Sequence, residues 1–421
     1  MRTAGSASTT FCVAAASAFV VALALALALP VHALAGAPAS RLLFGAYAPV
    51  DPDNGRTDTI AALEGATARP VDIAHWYQPW GSRDWIVSVQ REVLDAVIGT
   101  GRTPLITWEP WDPRNKTPYQ PAFSLARIAG GTYDGYIAQW ADKLRDVGRP
   151  VYLRPMHEMN GSWYPWANGI NANSPERYIA AWRHIVDIFR GHGASNVRFV
   201  WSPNHLDMSG NHMESFYPDA GYVDVLAMDG YNWGATMPQN GGWQTFREVF
   251  QNAYDRLAKL GPQPIWITEV GSAPEGGDKA AWVRDMFAKA ARMSRLRAIV
   301  WFNENKERDW RADATPRVAA AFRPRARLRL RAPRTVRVGQ TATVRWTVTG
   351  AIKVSSWKLS HNGRVVRTVA AGALRRLRVR VRRSGRTHWR LTGYDARSNK
   401  LVSARSRRPT AAVSRATAPN R

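Results

Sequence analysis

The sequence has a single cysteine in 421 residues, Cys12, close to its N-terminus. A lone thiol cannot form an intrachain disulfide, and it excludes metal sites built from several cysteines. The histidines offer no substitute, because His157-Glu158 lacks the second histidine that a zinc-binding H-E-x-x-H motif needs. No G-x-G-x-x-G follows the first predicted strand, which leaves a dinucleotide cofactor without support. We therefore predict a protein with no required metal and no cofactor.

Long apolar runs are also scarce, and the one candidate is Phe19–Leu29 (FVVALALALAL). This run is shorter than the ~20 residues of a membrane-spanning helix, and Pro30 follows it directly. Arg2 gives a basic start and Ala33-Leu34-Ala35 a small-residue cleavage site. Residues 1–35 are therefore predicted to be an export signal rather than a membrane anchor. The mature protein is expected to be secreted, extracellular and without a membrane span.

Acidic residues are nearly absent from the C-terminal quarter of the chain. Residues 323–421 hold 27 of the 58 Lys and Arg residues but only one of the 32 Asp and Glu residues, Asp395. Residues 1–322 therefore hold 31 basic and 31 acidic residues. The net charge of +26 therefore belongs entirely to the C-terminal part. An enzyme acting on nucleic acid needs its positive charge near the active site, so we predict no nucleic-acid partner.

Strand-like and helix-like stretches alternate along residues 41–322. Eight such alternations are typical of a (β/α)8 TIM barrel, with a doubly wound open sheet as the alternative. The predicted strands are Leu42–Ala48, Val71–Tyr77, Thr103–Trp108, Val151–Met156, Val197–Trp201, Val223–Met228, Pro264–Thr268 and Leu296–Phe302.

Several of these strands end in carboxylates, histidines and tryptophans, which favours one converging site at the carboxyl ends of the barrel strands. The clearest case is Val151–Trp166 (VYLRPMHEMNGSWYPW), where a strand period of two puts Arg154, Met156 and Glu158 on one side. Glu158 leaves the fourth strand and Glu269 leaves the seventh.

Two carboxylates facing each other across a barrel mouth suit cleavage of a glycosidic bond. We predict Glu158 as the acid/base, because its aromatic neighbours favour the protonated form, and Glu269 as the nucleophile. Tyr231, which leaves the sixth strand, could orient Glu269 by a hydrogen bond. The alternative is two structural carboxylates that are paired with Arg154 and with a lysine from the tail end of the chain.

The segment RPMHEMNGSWYPW, with WITEVGS 111 positions later, resembles glycoside hydrolase family 26 over roughly Leu42 to Arg311. That family consists mainly of endo-β-1,4-mannanases, with some β-1,3-1,4-glucanases and β-1,3-xylanases. The resemblance implies a (β/α)8 barrel, retention of configuration, Glu158 as acid/base and Glu269 as nucleophile. It also implies substrate-binding roles for His157 and Trp163 beside the acid, Asp229 and Tyr231 near the nucleophile, Trp301 as a platform under the sugar, and, on shorter motifs, Trp108 and His75.

Other tryptophans leave two interpretations open. Five lie on predicted loops over the same end of the barrel and could bind sugar or pack the loops: Trp80, Trp111, Trp166, Trp233 and Trp310. Four lie in helical stretches, where they are expected to pack in the core or anchor the surface: Trp140, Trp182, Trp243 and Trp282.

Residues 325–404 alternate apolar and basic side chains, and Asn362-Gly363 is typical of a hairpin turn. We predict a small Ig-like β-sandwich here and a disordered tail over residues 405–421. The cationic surface of the predicted sandwich indicates a partner among anionic cell-envelope polymers or acidic polysaccharides. The equal alternative is that this domain is a solubilising spacer. Three tryptophans in this part could bind sugar or pack in the core of the sandwich: Trp346, Trp357 and Trp389.

Together these features predict a secreted, monomeric, retaining endo-β-glycanase whose partner is a β-glycan, with mannan as the expected substrate. A mixed-linkage β-glucanase or a β-1,3-xylanase is the alternative within the same chemistry. A non-catalytic polysaccharide-binding protein is the alternative from another class.

Overall fold

The computed structural model describes residues 41–48, 58–82, 85–208, 210–324, 327–333, 335–349, 354–371, 375–382, 385–386, 388–394 and 400–406. The predicted export signal and nearly all of the predicted C-terminal tail lie outside the described residues. In the part of the chain that is described, no helix combines the length and the apolar character needed to cross a bilayer.

Eight parallel strands close into a barrel in the order β1-β10-β9-β8-β7-β6-β5-β2. All eight predicted strands are present, and closure confirms the barrel over the open sheet. The barrel strands are β1 Leu43–Tyr47, β2 Ile73–Pro79, β5 Thr103–Glu109, β6 Val151–Pro155, β7 Val197–Trp201, β8 Val225–Asn232, β9 Ile265–Ser272 and β10 Leu296–Phe302, with a short hairpin of β3 Gly81–Ser82 and β4 Trp85–Ile86 after β2.

Helices cover the outside of the barrel, and polar side chains start several of them. Thr245 and Glu248 form a reciprocal capping box at α6, and Ser174 caps α5 ahead of a proline at the first helical position. The α-helices are α1 Asp58–Thr67, α2 Arg91–Gly99, α3 Leu125–Ala129, α4 Asp134–Arg145, α5 Pro175–Gly191, α6 Phe246–Leu260, α7 Lys279–Ala290 and α8 Pro316–Phe322. Short 3-10 helices are Pro113–Asn115, Pro121–Phe123, Ile170–Ala172, Met213–Phe216, Ala220–Tyr222 and Pro238–Asn240.

One crossover departs from the repeating pattern. Between β7 and β8, the described residues form two 3-10 helices and no α-helix. Prolines and glycines interrupt this segment, for example Pro203, Pro218 and Gly221, and they disfavour a continuous helix. The strand–helix alternation predicted from the sequence is therefore incomplete at this position, although the barrel closes.

Two apolar layers hold the barrel together. Inside it, side chains such as Ile73, Leu105, Val200 and Val300 are fully buried. A larger layer lies between the strands and the helices, and it contains Trp140 and many other buried side chains. The alternating directions of strand side chains thus fill both the interior and the outer layer, and only the strand ends are left for polar chemistry.

The C-terminal part is built of antiparallel strands in two main sheets, ordered β11-β13-β16 and β15-β14-β18-β19, with a small pair β12-β17. Trp346, Trp357 and Trp389 are buried in one apolar cluster, so the three tryptophans belong to the core and not to a sugar site. The strands are β11 Arg327–Arg331, β12 Thr335–Val336, β13 Thr341–Thr349, β14 Ser356–His361, β15 Arg364–Ala370, β16 Arg376–Arg380, β17 Gly385–Arg386, β18 Trp389–Tyr394 and β19 Lys400–Arg405.

The local predictions for this part are confirmed at one point and corrected at another. Asn362 and Gly363 both have positive φ and join β14 to β15, as a type I′ hairpin requires. Arg405 was predicted to begin the disordered tail, but it is the last residue of β19, where it pairs with Arg390.

Candidate active site

Glu269 lies within β9, three residues before the end of the strand, and its carboxylate is fixed by three hydrogen bonds. Tyr77 Oη donates to Oε1 at 2.6 Å, Tyr231 Oη donates to Oε2 at 2.6 Å, and Arg154 Nη2 donates to Oε1 at 2.5 Å. The predicted contact from Tyr231 is therefore present. Both oxygens have a donor, and one donor is a cation, so the carboxylate is held in a fixed orientation by strong hydrogen bonds.

Arg154 connects Glu269 to the barrel interior. Its other η nitrogen donates to Asp229 Oδ2 at 2.7 Å, and its Nε donates to Thr107 Oγ1 at 2.8 Å. Burial alone would lower the pKa of Arg154, but the carboxylates of Asp229 and Glu269 raise it above its usual value. The guanidinium therefore stays charged and holds Glu269 at a fixed position.

Asp229 and His75 lie beneath this pair. Asp229 is fully buried and also accepts hydrogen bonds from Ser202 Oγ at 3.0 Å and Thr268 Oγ1 at 2.7 Å. His75 Nε2 lies 2.7 Å from Thr107 Oγ1, and burial, with the positive charge of Arg154, holds the pKa of His75 well below its usual range. Both residues were predicted to bind substrate, but they are buried and position Arg154 instead.

Glu158 lies in a tight turn beyond the end of β6, not on the strand. Met156 and Glu158 both have positive φ, of 48° and 51°, which non-glycine residues rarely adopt. The turn is held by backbone hydrogen bonds from Glu158 to Ser202 at 2.8 Å and from Gly161 to Glu158 at 2.9 Å. The strand period of two predicted through Glu158 is therefore wrong, because β6 ends at Pro155. Strain of this kind is common at functional sites.

The two groups that donate hydrogen bonds to the Glu158 carboxyl are both neutral. Trp163 Nε1 donates to Oε2 at 2.8 Å, and Asn204 Nδ2 donates to Oε1 at 2.8 Å. Burial, together with the negative charge of Glu269, raises the pKa of Glu158 from its usual value near 4.5 to about 7. Around neutral pH, Glu158 therefore holds a proton in much of the population, whereas Glu269 is surrounded by donors.

The His157 ring lies beside the Glu269 carboxylate. Its Nε2 is 3.8 Å from Glu269 Oε1, and its backbone oxygen accepts a hydrogen bond from Trp166 Nε1 at 2.7 Å. Burial and the nearby Arg154 hold the pKa of His157 well below its usual range, so the ring is neutral. Its position is consistent with the predicted location beside the acid.

Two tryptophans that were predicted to bind substrate face away from the mouth of the barrel. Trp301 is fully buried, donates from Nε1 to the backbone oxygen of Trp310 at 2.9 Å and packs edge-on against Phe322 at 4.8 Å. Trp108 is fully buried against Trp140, with ring centroids 4.8 Å apart. Both side chains leave their strands toward the helices, so neither can be a sugar platform in this structure.

Aromatic side chains nevertheless line the mouth. Trp163 is 38% exposed beside Glu158, and Trp111 and Trp233 are partly exposed, whereas the other three loop tryptophans in question are buried. The predicted helical tryptophans are buried, apart from Trp243, which is partly exposed. A further aromatic group surrounds the Glu269 end of the mouth: Tyr47, Tyr77, Tyr231, Trp233, Phe302 and Trp310.

The sequence places Tyr77, Glu109 and Asn204 among the polar and aromatic residues that leave the predicted strands toward one converging site. It gives none of the three a specific role there. Glu109 is nine-tenths buried and accepts one hydrogen bond, from Trp111 Nε1 at 3.2 Å. Burial, together with Glu269, raises the pKa of Glu109 to about 7, although Trp111, Arg154 and Lys306 act in the opposite direction. The mouth thus contains a third carboxyl group.

This arrangement agrees with comparisons to known proteins. Residues 130–285, which include both Glu158 and Glu269, match the family model described as Glycosyl hydrolase family 26. The barrel belongs to glycoside hydrolase family 26. In the described residues, no group of three or more His, Cys, Asp or Glu side chains is arranged to hold a metal ion.

Relatives of this family 26 barrel include Endoglucanase H of Acetivibrio thermocellus, which is 39% identical over 290 residues, or 68% of this chain and 30% of that protein. The mannan endo-1,4-beta-mannosidase of Bacillus subtilis strain 168 is 26% identical over 216 residues, or 48% of this chain and 52% of that protein. The chain thus spans less than a third of the first relative and about half of the second.

Solved structures share the fold at lower identity. The Bacillus subtilis mannanase BCman aligns with a TM-score of 0.50 and 22% identity, covering 67% of this chain and 84% of that one. A double mutant of the Cellulomonas fimi endo-beta-1,4-mannanase aligns with a TM-score of 0.50 and 18% identity, covering 86% of this chain and 93% of that one. These likenesses support the barrel fold.

Proposed function

We propose that the barrel is a retaining endo-β-1,4-mannanase, with Glu158 as acid/base and Glu269 as nucleophile. The observation that carries this proposal is the contrast between the two carboxylates. Glu269 is bound to Arg154 and two tyrosines, which favours a charged nucleophile. Glu158 is buried with neutral donors, which favours a proton donor. Several relatives are named mannan endo-1,4-beta-mannosidases, and that supports mannan as the substrate.

In the first step, Glu158 gives its proton to the glycosidic oxygen while Glu269 attacks the anomeric carbon. The leaving sugar departs with its oxygen protonated, and the other sugar becomes an ester of Glu269. Trp163 and Asn204 hold the Glu158 carboxyl in place for this transfer. Tyr231 and Tyr77 fix the attacking carboxylate, so orienting this group adds little to the activation free energy.

In the second step, Glu158 takes a proton from water, and the water oxygen attacks the same carbon to release Glu269. The ester carries no charge on Glu269, so one cause of the raised pKa of Glu158 is removed in the intermediate. Glu158 is then more readily ionised, as a general base must be. The same group can thus act first as acid and then as base.

The experiment that tests the proposal is parallel hydrolysis of β-mannan, mixed-linkage β-glucan and β-1,3-xylan, measured as reducing-sugar release. The proposal expects the highest kcat/KM on mannan and a product mixture of oligosaccharides. A higher kcat/KM on β-glucan than on mannan would mean that β-glucan is the substrate. The name of one relative, Endoglucanase H, agrees with that outcome. Absence of release from all three polymers, with binding retained, would favour a non-catalytic binding protein.

Tyr77→Phe should lower kcat on mannan by about tenfold, because the substitution removes one hydrogen bond to the charged Glu269 and keeps the ring. Steady-state kinetics and thermal melting measure the effect. Tyr136→Phe is the matched control, since it removes the same hydroxyl from α4, where it donates to the backbone oxygen of Val87. An unchanged kcat in Tyr77→Phe would contradict the positioning role.

Glu109 is proposed to accept a hydrogen bond from a hydroxyl of the bound glycan on the Glu269 side of the mouth. The charges of Glu269, Arg154 and Lys306 act on the pKa of Glu109, and its carboxyl accepts a hydrogen bond from one neutral donor, Trp111. Glu109→Gln should raise KM on mannan, with kcat/KM falling about tenfold, because the amide still accepts from Trp111 but replaces an acceptor oxygen. Unchanged kcat/KM, equal to that of the exposed control Glu92→Gln, would leave Glu109 a structural role only.

The same proposal covers export and the C-terminal part. We expect secretion through residues 1–35, a monomeric protein and an Ig-like arrangement of the C-terminal sheets. The excess of basic residues supports an anionic polymer as the partner of this part. Culture fractionation tests export, and size-exclusion chromatography with light scattering tests the monomer.

A further inference from the structure

One face of the three-stranded sheet β11-β13-β16 carries unneutralised positive charge. Alternate residues of these strands turn toward the core, for example Leu330, Val344 and Leu377. Among the residues between them, six arginines are exposed. We call the following set the arginine face: Arg329, Arg331, Arg345, Arg376, Arg378 and Arg380.

The register of the sheet brings three of these side chains into one row. Arg331 lies opposite Arg345, and Arg345 lies opposite Arg376. Neighbouring strands are ~4.8 Å apart, so three cationic side chains leave the sheet within roughly 10 Å. Like charges directly opposite each other destabilise an antiparallel pair. No member of the arginine face forms an ion pair with a residue that the structure describes.

Hydroxyl groups alternate with the guanidinium groups on this surface. Thr343 lies opposite Arg378, Thr341 lies opposite Arg380, and Thr347 lies opposite Arg329. The outward positions whose side chains are described on the three strands are therefore only Arg and Thr. Aromatic rings, on which successive bases of single-stranded nucleic acid stack, are absent from these positions.

We propose that the arginine face binds a linear acidic polysaccharide, carboxylated or sulfated. The planar guanidinium matches carboxylate and sulfate oxygens with two parallel hydrogen bonds, and the threonine hydroxyls can bond sugar hydroxyls. The bound polymer also relieves the repulsion within the arginine row. This inference rests on the anionic partner proposed above, and it names the surface and the chemistry of that partner.

The test uses the full chain and polygalacturonate, with heparin as a sulfated probe, in low salt. Arg331→Gln/Arg345→Gln/Arg376→Gln removes the row. The matched control, Lys358→Gln/Arg390→Gln/Arg405→Gln, removes the same charge from the outward face of the four-stranded sheet. We expect the row variant to lose at least about tenfold in affinity, and the control to stay within about twofold.

Thermal melting without polymer separates binding from folding. The row variant should melt at the same or a higher temperature, because the opposed charges are gone. Equal losses in both triple variants would overturn the proposal in favour of attraction by net charge alone. Tighter binding of duplex DNA than of either polysaccharide at the same ionic strength would also overturn it. Mannan hydrolysis, measured on the same samples, tests the enzyme proposal separately.

Discussion

Glu269→Ala is expected to reduce mannan hydrolysis by about 10⁵-fold or more, because it removes the carboxylate that forms the glycosyl ester. Arg154 keeps its bond to Asp229 in this variant, so the guanidinium is not left without a buried partner. The loss should therefore fall on kcat, and the protein should still fold. Initial rates on mannan, with circular dichroism and thermal melting, measure the two effects.

Two companion variants make this result specific. Glu269→Gln keeps the shape of the side chain and loses the charge, so it should be as inactive as the alanine variant. Glu275→Ala, an exposed glutamate six residues further along, should retain wild-type rates. Binding of mannohexaose should survive in both Glu269 variants. Substantial turnover in Glu269→Gln would mean that another group attacks the sugar, and the nucleophile assignment would be wrong.

The barrel could be predicted from the sequence because its strands are buried on both faces and therefore form short apolar runs. Val197–Trp201 and Leu296–Phe302 have the bounds that were predicted from those runs. The missing helix between β7 and β8 could not be predicted in the same way. A count of alternating segments gives the number of strands, but the barrel can close over a crossover made of 3-10 turns.

It was harder to predict which side chains at the strand ends face the mouth of the barrel. Trp301 and Trp108 were chosen for their chemistry, yet the next residues, Phe302 and Glu109, are the ones that face the mouth. Side chains alternate along a strand, so an error of one residue moves a side chain to the opposite surface. Glu158 was identified correctly as a mouth residue although the predicted strand period was wrong, because a left-handed turn, invisible in a periodic pattern, redirects it.

The hydrogen-bond network around Arg154 could not be predicted from the sequence. The sequence offered Arg154 mainly as an argument against catalysis, since an arginine that pairs with Glu269 could be purely structural. The pairing is present, at 2.5 Å. However, Arg154 also binds Asp229, and two tyrosines hold Glu269 as well. A buried carboxylate held by three groups from separate strands is more than an ion pair requires, and it fits a fixed nucleophile.

Glu158→Gln is expected to lower kcat on mannan by about 10²- to 10⁴-fold, because the glycosidic oxygen no longer receives a proton as the bond breaks. The loss in the first step should be far smaller on an aryl β-mannoside whose phenolate leaves without protonation. With that substrate, the ester on Glu269 should accumulate, since the base of the second step is also missing. A burst of phenolate in rapid-mixing experiments, relieved by added azide, is the measurement that identifies an acid/base.

The pH dependence of this variant distinguishes Glu158 from Glu109, because burial raises the pKa of both groups to about 7. Wild-type kcat/KM should fall as pH rises through this value, and Glu158→Gln should lack that fall if Glu158 is the acid. A raised pKa in the folded state also means that stability is greatest below the unfolded value near 4.5 and declines as pH rises toward about 7. Glu158→Gln should therefore melt at a higher temperature than the wild type at pH values above 7. An alkaline limb that persists in Glu158→Gln and disappears in Glu109→Gln would transfer the proton donor to Glu109.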